Sequence, residues 1–122
     1  MRTSTALMAA LAMTGAGALA VPASAETVAQ LDAQSRATEN AASGLALARQ
    51  EIEKGDLLGA MATLERVLFN HPKNAQARAL HASLFCRIDD RRGATVELDA
   101  LRGGAISPAL AEEARAPCRR RS

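Results

Sequence analysis

Chain breakers set against apolar periodicity constrain this sequence more than any other feature. Gly55-Asp56, Asn70-His71-Pro72, Asp89-Asp90 and Gly103-Gly104 recur at intervals that fit helices of roughly three turns between them. The apolar residues inside each interval repeat at helical spacing. Leu45, Ala48 and Ile52 fall at i, i+3 and i+7; Ala60, Leu64, Val67 and Leu68 follow; then Ala77, Leu80, Leu84, Phe85 and Ile88; then Ala94, Leu98 and Leu101. Asp56 and Asn74 are positioned to cap helix starts, and Pro72 cannot continue the helix before it. Ser107-Pro108 predicts a short fifth helix, with Ser as cap and Pro in the first turn, and Pro117 is expected to end it. The side chains agree with a helical reading. Aromatic residues make up 2% of the 122, namely Phe69 and Phe85, which is too few for a β-sandwich or barrel core, whereas Ala, Leu, Arg and Glu favour helix. The length suits one domain.

The two helix pairs are offset by 34 residues. Ala48, Ala60, Leu64 and Val67 map onto Ala82, Ala94, Leu98 and Leu101, and the turn Gly55-Asp56 maps onto Asp89-Asp90. The segment Gly55-Asp56-Leu57-Leu58-Gly59-Ala60, followed by Leu64, Val67-Leu68 and Pro72-Lys73-Asn74, resembles a tetratricopeptide repeat. In such a pattern small Ala residues let paired helices approach, large apolar residues fill the space between them, and Pro ends the second helix. The resemblance covers about residues 41–102. It departs from the family's pattern where Gly44 and Glu51 stand in the aromatic positions of the first helix, and where Asp89 replaces the second turn glycine. It implies an all-α fold, a short right-handed helical-hairpin repeat of about two repeats, with the helix from Pro108 capping the stack. It also implies that the first helix of each hairpin lines a concave face. On this chain that face would carry Leu45, Arg49, Ile52, Glu53, Gln76, Ala79, Ser83, Cys86 and Arg87. The family's carboxylate clamp requires Lys and Asn there, which Leu45 and Arg49 do not supply. A mixed Arg, Glu and apolar groove fits an extended or helical segment of another protein.

The N-terminal segment has the layout of an export signal. Arg2 precedes an apolar run from Ala6 to Ala20, then Pro22 and the small-x-small sequence Ala23-Ser24-Ala25. Cleavage is expected after Ala25, with a competing site after Ala20. The expected location is the periplasm or the exterior. Residues 26–43 are polar and Ala-rich and read as a flexible or marginally helical lead. The repeat domain is expected over 44–118, and 119–122 form a basic tail. Removal of residues 1–25 takes away Arg2 and no acidic residue, leaving a nearly neutral chain. In an oxidising compartment the two remaining cysteines, Cys86 and Cys118, favour a disulfide, with free thiols or a bond between chains as alternatives.

Catalytic and ligand motifs are absent from the sequence. There is no C-x-x-C, H-E-x-x-H or C-x-x-C-H, and Gly103-Gly104 lacks the Lys-Ser/Thr of a phosphate loop. The acidic pairs Glu51/Glu53, Asp89/Asp90 and Glu112/Glu113 read as solvated surface, and Ser43, Ser83 and Ser107 lack a nucleophile-elbow context. A net charge of +2, with acids and bases interleaved, points away from nucleic acid. Only Arg119, Arg120 and Arg121 form a basic cluster that could meet an acidic surface or anionic lipid. The expectation is therefore a non-catalytic periplasmic module that binds another protein or peptide segment, in envelope assembly or secretion, without metal, cofactor or small-molecule substrate. The alternative is a thiol/disulfide redox-responsive protein that uses Cys86 and Cys118.

Overall fold

The computed structural model of the chain describes residues 27–120, so residues 1–25, where an export signal is expected, and Arg121 lie outside the described residues. The described residues form six helices: α1 (Val28–Glu39), α2 (Ala41–Glu53), α3 (Leu57–Asn70), α4 (Ala75–Arg87), α5 (Arg91–Arg102) and α6 (Pro108–Arg119). The fold is all-α, and its helices pair as hairpins, α2 with α3 and α4 with α5.

The 34-residue offset persists in the backbone hydrogen bonds. In the first turn Asp56 N–H donates to Glu51 O (2.9 Å) and Gly55 N–H to Ile52 O (3.0 Å). In the second, Asp90 N–H donates to Phe85 O (2.8 Å) and Asp89 N–H to Cys86 O (3.2 Å). Both are Schellman closures, which satisfy the last carbonyls of a helix by turning one residue left-handed. Gly55 takes that position at φ +80°. Asp89 occupies the equivalent position at φ 65°, one of the few side-chain-bearing residue types that tolerate it. The aspartate that follows each turn then caps the next helix: Gly59 N–H donates to Asp56 Oδ1 (2.8 Å) and Gly93 N–H to Asp90 Oδ1 (2.9 Å). The substitution of Asp89 for glycine therefore leaves the turn unchanged.

The core has two parts. Leu45, Ala48, Ala60, Met61, Leu64, Val67, Ala77 and Leu84 form the first, and Leu64 and Ala48 are fully enclosed between α2 and α3. Ala79, Ala82, Leu101 and Ala114 form the second, with Leu98, Ile106 and Leu110 packed around them. Its buried residues are mostly alanine, which allows α4 to lie close to both α5 and α6. The helix α4 is the hub of the molecule, packing as extensively against α6 as against α5, and also against α3.

Three expectations require correction. Of the two readings of the lead, the structure has the helical one, with α1 lying on α2 and α3, and α2 begins at Ala41 rather than Gly44. Asn40 makes the bend between them, and its side chain accepts from Ala42 N–H and Ser43 N–H. A Cβ at Gly44 would collide with Val67 Cγ2 and crowd Thr38 Cα, so glycine in this nominally aromatic position lets α1, α2 and α3 meet. Pro117 does not end α6, which continues to Arg119. Proline within the last turn forfeits only one intrahelical bond, and α6 is held from outside at Cys118. Ile88 is not part of the α4 stripe; it is the C-cap residue and is exposed.

Candidate functional site

The side of the molecule carrying α4 and α6 holds a cleft of about 610 Å³. Leu57, Ser83, Arg87, Glu113, Ala116, Pro117 and Arg120 line it. Arg87 is in the last turn of α4 and Arg120 is the C-cap of α6, so both guanidinium groups sit where helix carbonyls favour a cation. Glu113 projects from the middle of α6 and Leu57 from the start of α3. The Ser83 hydroxyl donates to Leu80 O within its own helix (2.8 Å). The cleft thus has apolar side chains between two cations and one carboxylate. That arrangement suits recognition of a polypeptide segment.

The cleft includes some of the residues expected on the concave face and excludes others. Ser83 and Arg87 line it. Leu45 and Ala79 are core residues, 4% and 0% exposed, and cannot contact a partner. Ile52 is half-buried against the first core part. Arg49, Glu53 and Gln76 are exposed. Glu113, Ala116, Pro117 and Arg120 belong to the cleft although they were not among the expected groove residues. The signal for them was the predicted helix from Pro108, which packs on α4.

Cys86 and Cys118 form a disulfide with Cα atoms 4.9 Å apart, joining α4 to α6. Cys86 is buried and Cys118 half-buried. A second, smaller cleft of about 200 Å³ opens beside the bond, lined by Asp89, Arg91, Ala94, Thr95 and Leu98 as well as both cysteines.

A buried polar cluster joins α4 to α5. Arg78 donates to Glu97 Oε2 (2.7 Å) and to Pro72 O (2.8 Å), and His81 Nδ1 lies 3.0 Å from Glu97 Oε1. The imidazole stacks obliquely on Phe85, with ring centroids 4.5 Å apart. Its Nε2 is buried and faces Glu65 of α3 at 3.9 Å. Burial pushes the Glu97 carboxyl upward, but the His81 hydrogen bond and charge and the Arg78 guanidinium outweigh it, so the group lies below its ordinary value. The cluster ties α4 to α5 and to the turn at Pro72. Sequence spacing could not reveal it, because Glu97 lies 16 residues from His81.

Glu51, on α2, behaves oppositely to Glu97. Burial raises its carboxyl, with Asp56 adding to the effect against the Thr63 hydroxyl and the charges of Arg66 and Lys54. Among the described residues, no three His, Cys, Asp or Glu side chains are grouped so as to hold a metal ion, and no helix is long and apolar enough to cross a membrane. Compared with family models, curated proteins and solved structures, the chain matches none. Function accordingly rests on the geometry of the site.

Proposed function

We propose that the chain acts after export as a non-catalytic protein-interaction module of tetratricopeptide type, holding a segment of another envelope protein against α4 and α6. The observation that carries this reading is the 610 Å³ cleft, where Leu57, Ala116 and Pro117 are flanked by Arg87, Arg120 and Glu113. Apolar contacts there supply affinity, and the charged rim sets register and choice of partner. The helical-hairpin arrangement supports it, because stacked hairpins hold such a surface rigid without a catalytic centre. Envelope assembly or secretion is the service that fits an exported adaptor.

The test is a paired capture from an envelope extract. The tagged mature chain should retain a protein that the Arg87→Glu/Arg120→Glu double variant does not, at equal thermal stability of the two baits. Identical recovery by both baits, or no specific protein on either, refutes the reading.

A further inference from the structure

We infer that Cys86–Cys118 is a redox clasp, opened by a dithiol reductant in the folded protein, and that opening releases α6 from α4. The inference does not depend on the interaction-module reading. Three observations meet at this bond. It is reachable, since Cys118 is half-buried and both cysteines line the cleft of about 200 Å³. It is asymmetric, since Cys86 is 5% exposed and lies within the core helix α4, so an attacking thiolate meets Cys118 Sγ first. And the packing it reinforces is built mostly from small residues: α6 lies along α4 as extensively as α5 does, yet buries little large apolar side chain there. The only side chain of α6 that is fully buried is Ala114; Leu110, Ala111, Arg115, Ala116, Pro117 and Cys118 are half-buried, as is Ile106 just before the helix. The segment makes few contacts with α5.

The chemistry balances with a dithiol as co-reactant. One thiolate of the reductant attacks Cys118 Sγ, a mixed disulfide forms, the Cys86–Cys118 bond breaks, and Cys86 leaves as a thiolate. The second thiol of the reductant then attacks its own sulfur in the mixed disulfide and frees Cys118. Two electrons and two protons pass to the protein, which ends with two thiols, and the reductant ends as a disulfide. The cleft places the Arg91 guanidinium near the bond, where it favours an approaching thiolate, with Asp89 partly offsetting it. Once unlinked, α6 is held against α4 by Ala114 and by the half-buried Leu110 and Ile106. Its departure uncovers Ala79 and Ala82 of α4, which share a core part with Ala114.

Hydrogen exchange on the chain purified without reductant, before and after dithiothreitol at neutral pH without denaturant, tests the clasp. The expected result is complete reduction in the folded state. Amide exchange over 108–119 should then rise by roughly tenfold or more, while α2 and α3 keep their protection. A brief exposure to 2-mercaptoethanol followed by acid quenching should place the trapped adduct on Cys118. The Cys86→Ser/Cys118→Ser double variant should show the fast exchange of α6 without any reductant. The inference is overturned if the bond opens only in denaturant, if the reduced chain keeps α6 protected, if α2 and α3 lose protection together with α6, or if the adduct sits on Cys86.

Discussion

Leu64→Ala probes the packing on which the whole arrangement depends. Leu64 is 0% exposed and lies in the first core part with Ala48, Ala60, Val67 and Leu84. Three carbons are lost, at about 0.8 kcal/mol each, or about 2.4 kcal/mol of transfer free energy. The neighbours on α2 and α3 are small and already close, so the space collapses only in part and the residual cavity adds on the order of 1–2 kcal/mol. The total of about 3.5–4.5 kcal/mol is a large fraction of the roughly 5–15 kcal/mol that holds a domain together. Urea denaturation followed by far-ultraviolet circular dichroism reads the change as a lower midpoint at unchanged slope. Phe69→Ala is the matched control. That ring is 87% exposed, and its loss should shift stability by less than about 0.5 kcal/mol. If Leu64→Ala leaves the midpoint where Phe69→Ala leaves it, the hairpin is not packed as described.

Further substitutions test the other parts. Gly44→Ala should cost about 1–3 kcal/mol in the same denaturation experiment, because its methyl has to displace Val67. Gly55→Ala should cost about 1 kcal/mol at its left-handed position, while Asp89→Gly at the equivalent position should be neutral or stabilising. Glu97→Gln should cost about 1.5–3 kcal/mol near neutral pH through its weakened bonds to Arg78 and His81. Its carboxyl is lowered on folding, so its ionic contribution is complete above the ordinary value of 4.5 and is lost as pH falls below it through the folded-state value. The stability gap between wild type and Glu97→Gln, from urea midpoints across the acid range, should narrow accordingly.

Much of the fold was legible because the same device occurs twice. Gly55-Asp56 and Asp89-Asp90 each close one helix and cap the next, and the alanines and leucines between them keep the same register. The helix α1 was legible only as one of two readings of the lead, because it is not held by an apolar stripe. Val28 and Leu31 remain exposed, and Thr38 is its buried residue. Its far end is anchored by Asn70 Nδ2, which donates to Thr38 O (3.2 Å), and by His71 Nε2 at 2.9 Å from Glu39 O. Such ties from a turn 32 residues away leave no periodicity to read. The groove was half legible. Register identified Ser83 and Arg87, but it could not show that α4 is enclosed by α3, α5 and α6, which takes Ala79 into the core. Pro117 was read as a helix stop because proline ends most helices, yet here the neighbouring Cys118 fastens the last turn to α4.

Site-specific photo-crosslinking in intact cells tests the central claim most directly. A photoreactive residue placed at Ala116, in the cleft between α4 and α6, should join the chain to a discrete protein partner. The same residue at Phe69, on the exposed side of α3, should not. Absence of any adduct at Ala116, or the same adducts from both positions, would contradict the account of this cleft as the binding surface.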